Sequence, residues 1–376
     1  MNPNVKKYVV IALIVLVGGA LLIGPMLRED PVIPTRGGGH DAPITQAPLP
    51  AAFAFKEGLA TITGIPQNVQ IQVNQNNITE MVVEYDGTFI QKWDNPNGNV
   101  TFPFTTTTLG NYSIRLISTL QDGTQRIDER AVRVVSDITP TSLKAEIIGN
   151  PLPHDPTSFT QGLEFKDGRL YEGVGIYGES KVMEVDVQTG DILRKLSLDP
   201  SRFGEGITIM GDKLYQLTWQ KGQCLIYDYT SDSGSFSLLD EKSYTGEGWG
   251  LCNNGTELIL SNGSEVIQFI DPESFEVKRT IQVFSDVGPI PQLNELEYMD
   301  GKIYANIYQT NAVAAIDPAT GKVLELIDCN ELALRGRGAG AELNGIARDD
   351  KTGKIYMTGK KWPSMFEVRF VSAPNP

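Results

Sequence analysis

Histidine is nearly missing from this chain, which has only His40 and His154 in 376 residues. A Ser-His-Asp triad or a histidine zinc site would have to be built on His154, and nothing near it in sequence supplies the other members. Cysteine is sparse as well. Cys224, Cys252 and Cys329 contain no C-x-x-C spacing, which argues against a cysteine zinc site. Their odd number leaves open three buried thiols or a Cys224–Cys252 bridge with one thiol over. Positive charge is in deficit: 32 Lys and Arg face 46 Asp and Glu, for a formal net charge of −14. Nucleic-acid binding, which relies on clustered cations against phosphate, is therefore not expected. General acid–base chemistry is left to carboxylates, with no metal and no cofactor implied.

The N-terminus is the one long apolar stretch. Residues 8–27 form an uncharged run of 20, enough to cross a bilayer as a helix. Lys6 and Lys7 precede it, and the positive-inside rule then exports everything that follows. The expectation is a transmembrane signal anchor over 1–28, with the rest of the protein in the cell envelope on the periplasmic or extracytoplasmic side. Gly18-Gly19-Ala20 keeps a cleaved signal peptide as the rival, although the apolar run continues past that point. Residues 29–50, rich in Pro and Gly, lack periodicity and suit a flexible tether; His40 lies there.

From 51 to 138 short alternating runs (VQIQV at 69–73, MVVEY at 81–85, VTFPF at 100–104, YSIRLIS at 112–118, RAVRVVS at 130–136) are separated by turns such as Asp86-Gly87, Asn97-Gly98 and Asp122-Gly123. This pattern predicts a small immunoglobulin-like β-sandwich in architecture, without the Cys pair and core Trp of an antibody domain.

Beyond 139 the chain repeats itself. TQGLEF (160–165), GEGITI (204–209), GWGLC (248–252), NELEY (294–298) and LNGIA (343–347) are each followed, after a polar turn, by a second apolar run. In the first four repeats a third run follows that ends near an Asp. With Gln161, Glu205, Trp249, Glu295 and Asn344 as markers, the intervals are 44, 44, 46 and 49 residues. That is the length of one four-stranded propeller blade, and five repeats predict a five-bladed β-propeller over 139–376. The last repeat has room for three strands, so the run at 143–148 is expected to supply its outer one and leave no open edge. The fold class is then all-β, a propeller preceded by a sandwich and a membrane helix.

Inner strands of a propeller converge on one channel, so the markers should meet there although they lie far apart in sequence. Among them Glu205, between two glycines at a strand start, is the leading acid/base candidate, and Glu295 is the second. Trp219, Trp249, Tyr308 and Trp362 offer flat apolar walls, with packing between blades as the alternative use of the tryptophans, and Lys360 offers a cation.

The segments HDPTSFTQGLEF (154–165), GIYGESKV (175–182), FGEGIT with LYQLTW (203–219), GEGWGL (246–251), LNELEYMDGKIYANIYQT (293–310) and LNGIARDDKTGKIYMTGKKWPSMFEV (343–368) resemble, in order, the plant-type glutaminyl-peptide cyclotransferases, a five-bladed family also found in bacteria. The resemblance implies that the α-amine of an N-terminal glutamine of a peptide or protein attacks its own γ-carboxamide, giving pyroglutamate and ammonia without a catalytic metal. It implies Glu205 as the acid/base, with Asn294 and Lys360 on the γ-carbonyl. Phe159, Gln161, Trp219 and Trp249 would hold the glutaminyl residue, with Glu295, Asn344 and Trp362 as further binding candidates. Tyr308 stands where the family usually has Trp, and Asn262 where it commonly has Asp. A non-catalytic propeller that holds peptides or glycans in the same channel is the competing reading.

Overall fold

The structure, a computed structural model, describes residues 48–56, 58–230 and 235–373. The expected membrane helix and nearly all of the tether lie outside them, and among the described residues no helix is long and apolar enough to cross a membrane. The chain is all-β, and its one described helix, Asn330–Gly336, is short. It divides into two compact units, Met1–Gly58 with Asn68–Phe104 and Ser113–Ala131, and Leu59–Gln67 with Thr105–Tyr112 and Val132–Pro376, so that segments of 51–138 fall in both.

In the first unit β1 (Ala51–Phe53) runs antiparallel to β3 (Gln67–Val73). There β4 (Ile78–Tyr85) lies between β5 (Thr88–Asp94) and β7 (Gly110–Leu120). The turn from β4 to β5 is Asp86-Gly87 at φ 48° and 74°. Both values are positive, as the tight hairpin turn matched to strand twist requires, and Asp and Gly carry that conformation at little cost. β6 (Val100–Phe104) follows VTFPF and β8 (Gln125–Val135) contains RAVRVV. All five alternating runs are strands, whereas β1, β5 and β2 (Leu59–Ile62) carried too weak an alternation to be expected. In the second unit β2 pairs in parallel with Val132–Val135 of β8.

After β9 (Thr141–Pro153) the strands of the second unit come in fours. β10 (Thr160–Lys166), β11 (Arg169–Val174), β12 (Lys181–Val185) and β13 (Ile192–Ser197) form one antiparallel sheet; β14 (Gly204–Met210), β15 (Lys213–Thr218), β16 (Gln223–Asp228) and β17 (Ser237–Ser243) form the next. β18 (Leu251–Asn253), β19 (Leu258–Ser261), β20 (Val266–Ile270) and β21 (Val277–Gln282) form a third. β22 (Leu293–Met299) to β25 (Val323–Asp328), with β23 (Lys302–Ile307) and β24 (Ala312–Ile316) between, make a fourth set; β26 (Leu343–Asp349), β27 (Lys354–Gly359) and β28 (Ser364–Ser372) are left three strong. β9 completes them, pairing antiparallel with β28 from Leu143–Ser372 to Pro153–Ser364, as the room left in the last repeat led us to expect. Its first residues also pair in parallel with β25, which joins the last two sets into one eight-stranded sheet. That second pairing left no mark in the sequence.

The first strand of each set touches the next: β10 meets β14, β14 meets β18, β18 meets β22, β22 meets β26, and β26 returns to β10. Five inner strands thus close a ring. Each pair of adjacent sheets buries its own apolar cluster. Ile207 and Leu214 pack with Tyr171 and Val182, Leu251 and Leu258 with Tyr215 and Leu217, and Leu296 and Ile303 with Ile259 and Phe269. Met357 and Phe366 pack with Val313 and Leu332, and Ala347 and Tyr356 with Leu163 and Phe165. A side chain of this size contributes about 1.5–3 kcal/mol when fully buried. Burial falls from the axis outward. β14 is buried over six consecutive residues, whereas β13 and β17 contain none that is buried, because inner strands are covered on both faces and outer ones meet solvent.

The recurrent Asp of the third runs is turn chemistry. Asp186, Asp271 and Asp317 accept backbone N–H bonds two residues ahead, from Gln188, Glu273 and Ala319, and so shape the link to the outer strand. All three cysteines are buried free thiols, and no Cys224–Cys252 bridge forms.

Candidate active site

The repeat markers sit at breaks in the inner ladders. Pairing of β10 with β11 shifts between Thr160 and Gly162, of β14 with β15 between Gly204 and Ile207, of β22 with β23 between Leu293 and Leu296, and of β26 with β27 between Leu343 and Ile346. A bulge of this kind re-aims a side chain out of the pleat. The shared register makes Gln161, Glu205, Asn294 and Asn344 equivalent, with Trp249 just ahead of β18. Glu295, the marker chosen from the sequence in the fourth repeat, is therefore one position off. It is equivalent to Gly162, Gly206, Gly250 and Gly345, where neighbouring inner strands press together. A Cβ on Gly206 would lie 2.5 Å from the backbone N of Leu251, and one on Gly162 2.5 Å from that of Ile207. No side chain fits between strands at that spacing.

The Glu295 side chain instead reaches β10 and β26. Its Oε1 accepts the N–H of Leu163 at 3.1 Å, and its Oε2 accepts the N–H of Ile346 at 2.9 Å and Asn306 Nδ2 at 3.2 Å. One carboxylate thereby ties β22 to β10 and β26. Three donors thus already meet its two oxygens.

Glu205 differs in its partners. It is 4% exposed and receives one hydrogen bond, from Gln161 Nε2 to Oε1 at 3.0 Å. Gln161 is itself oriented by Asn344, whose Nδ2 donates to Gln161 Oε1 at 3.3 Å and to Thr160 O at 2.9 Å. An amide relay across three inner strands therefore ends on the carboxyl. Burial pushes Glu205 well above the usual carboxylate range; the Lys360 charge opposes the rise and the Glu247 carboxylate adds to it. Lys360, 2% exposed, moves the other way, lowered by burial against the pull of Glu205 and Glu342. Burial disfavours both charged forms, so the two groups approach each other in proton affinity.

Lys360 is held by rings. Its Nζ lies 4.8 Å from the centroid of Phe159 and 4.6 Å from that of Tyr308. A desolvated ammonium gains about 2 kcal/mol from such a face. Tyr308 stands edge-on to Trp249, centroids 5.4 Å apart at 88°. Phe159 meets Phe203 at 6.3 Å, Phe203 meets Trp219 at 5.6 Å, and Tyr177 closes on Phe203 at 5.4 Å. Phe203 and Tyr177 did not figure among the site residues expected from the sequence. A signal for Phe203 was present, since it stands two residues ahead of Glu205 just as Phe159 stands two ahead of Gln161. Glu247 was missed as well, and it bonds to both indoles: Trp219 Nε1 donates to its Oε2 at 2.8 Å and Trp249 Nε1 at 3.0 Å.

Asn294 and Asn344 each keep a buried side-chain oxygen, Oδ1, with no hydrogen-bond partner. Buried amides are rarely left so. They are groups that a bound amide could satisfy. Trp362, expected among the substrate walls, belongs to the hydrophobic core. It is 0% exposed, packs with Leu332 and Phe366, and spends its indole N–H on Ala341 O at 3.0 Å. The turn that brings Lys360 into the site buries its neighbour but one. Among the described residues no group of three or more His, Cys, Asp or Glu is placed to hold a metal ion. His154 is occupied, with Nδ1 2.5 Å from Trp362 O and Nε2 3.2 Å from Glu172 Oε1.

A ring of β-sheets whose inner strands carry a buried carboxyl, a buried lysine and amides beside aromatic side chains defines an all-β protein. The family model for glutamine cyclotransferase matches residues 122–370, and the chain belongs to that family. A glutaminyl-peptide cyclotransferase of Arabidopsis thaliana is 34% identical over 226 residues, 59% of this chain and 70% of that one. The crystal structure of Myxococcus xanthus glutaminyl cyclase superimposes with a TM-score of 0.58 at 34% identity, covering 62% of this chain and all of the other.

Proposed function

We propose that this glutaminyl-peptide cyclotransferase, which converts N-terminal glutaminyl residues of peptides or proteins into pyroglutamate with release of ammonia, uses Glu205 as its acid/base. The observation that carries the assignment is a buried carboxyl with one side-chain partner facing a buried lysine. The α-amine nitrogen attacks the γ-carboxamide carbon while Glu205 takes its proton. Lys360 and Asn294 donate to the oxygen as negative charge builds on it. Glu205 then returns the proton to the departing nitrogen, the carbonyl reforms and ammonia leaves, so no water is consumed. Phe159, Phe203, Trp219, Trp249 and Tyr308 enclose the glutaminyl side chain, with Gln161 and Asn344 on its polar atoms. Glu295 and Trp362 support the scaffold.

The ring is read as a five-bladed β-propeller over 139–376, with an immunoglobulin-like sandwich over 51–138 and a tether over 29–50. Residues 1–28 are read as a membrane anchor that places the propeller on the extracytoplasmic side; the uncharged run after Lys6 and Lys7 supports this. Incubating the purified protein with a Gln-initiated peptide should release ammonia and block the N-terminus. Binding without ammonia would establish the non-catalytic reading instead. Protease added outside spheroplasts should remove the propeller, and protection would reverse the orientation.

A further inference from the structure

Glu247 has no part in the proton transfer described above, yet it holds the walls of the site together. We propose that Glu247 is a positioning residue that fixes the two indole walls and acts on Glu205 through its charge. This rests on the reading of Trp219 and Trp249 as substrate walls. Trp219 follows β15 in the second set of strands and Trp249 precedes β18 in the third, so their rings come from different sheets. Glu247 Oε2 accepts both indole N–H groups, at 2.8 and 3.0 Å, and its Oε1 accepts Gln220 Nε2 at 3.1 Å. Gly248 N donates to Trp219 O at 3.1 Å and Trp219 N to Phe203 O at 3.0 Å, so the backbones of the two walls are laced together as well. An indole can only donate, and a single carboxylate oxygen is an acceptor able to take two donors at once. An amide in its place could take both rings on its oxygen only by turning its N–H₂ against the Nε2 donor of Gln220.

The same carboxylate stays charged. Burial works to raise it, but the bonds from Trp249, Gln220 and Trp219 outweigh that and hold it below the usual range. Its negative charge adds to the rise at Glu205. The other groups in electrostatic reach of Glu205 are Lys360, Tyr244 and Tyr308. Lys360 works against the rise, and the two phenols are themselves raised by burial and neutral in the working range. Glu247 is thus the negative charge that offsets Lys360.

Two substitutions separate its two effects. Glu247→Gln retains the shape but loses the charge and turns one acceptor into a donor; KM for a Gln-initiated peptide should rise about tenfold, the loss of a hydrogen bond to a charged group. The acidic limb of its pH–rate profile should move to lower pH, because Glu205 then ionises more readily. The substrate amine titrates identically with both enzymes, so a difference in the limb belongs to the protein. Glu247→Asp keeps the charge on a shorter arm and should raise KM while leaving the limb nearly in place. Trp219→Leu and Trp249→Leu provide the reference. If they raise KM and Glu247→Gln changes neither KM nor the limb, Glu247 has no such role. If they leave KM untouched, the walls are misassigned and both readings fall.

Discussion

The inner strands of the ring hold two buried carboxyls, Glu205 and Glu295, that differ by one position in the shared strand register. Burial drives both well above the ordinary carboxylate range. Their surroundings separate them. Glu295 faces two backbone N–H groups and the Asn306 amide, so it is a staple between strands. Glu205 has one side-chain partner and a lysine in reach, so it has capacity left for a reacting proton. Raised proton affinity alone does not mark an acid/base group; unspent hydrogen-bonding capacity next to an opposing charge does.

The widest gap between the two should open in turnover. Glu205→Gln is nearly isosteric and should lose about 10²–10⁴-fold in kcat, with near-native circular dichroism and much of the substrate affinity retained. Glu295→Gln should keep most of its kcat per folded molecule. Normal turnover in the first and none in the second would move the acid/base from Glu205 to Glu295. Lys360→Ala should follow with a loss of about 10²–10³-fold, the value of one donor to a developing oxyanion. A change confined to KM would make Lys360 a binding group only.

Stability should rank the same pair in reverse. In Glu295→Gln an amide N–H₂ replaces one acceptor and confronts a buried backbone N–H, a cost of about 1–3 kcal/mol. Its urea midpoint should fall below that of Glu205→Gln, and equal midpoints would refute the staple.

The smallest effect concerns Glu164 of β10, half-buried and raised from 4.5 to about 7, chiefly by desolvation, against the pull of bonds from Thr208 and Ile209. A folded-state value above the unfolded one means that the folded protein binds the extra proton. The contribution to stability is full below pH 4.5 and is lost as pH rises toward about 7. Glu164→Gln should therefore flatten the dependence of Tm on pH in that window by a few degrees. An unchanged slope would show that the carboxyl does not take up a proton on folding.

The period of the repeats, the sheet closure by the run at 143–148 and the carboxylate at Glu205 were all legible in the sequence, because each leaves a local trace: apolar runs at even spacing, a missing fourth strand, a charged residue between glycines. The markers in the first, second, third and fifth repeats could be aligned on the glycine that follows them. In the fourth repeat that glycine is Glu295, so the repeat pattern pointed to the charge and away from Asn294, which the resemblance named, and strand register makes Asn294 the equivalent of Glu205. Trp362 looked like its fellow tryptophans, but exposure depends on what covers a side chain, and the cover comes from Leu332 and Phe366, distant in the chain or on another face of the turn. Phe203 needed a comparison of two repeats, and Glu247 needed two indole N–H groups from different sheets to meet on one oxygen. Composition and periodicity decided which elements form and how many times, since these follow from local propensity and burial pattern. Which neighbour each buried polar atom meets was decided only when the ring closed, because hydrogen bonds across inner strands join residues 44 to 184 positions apart.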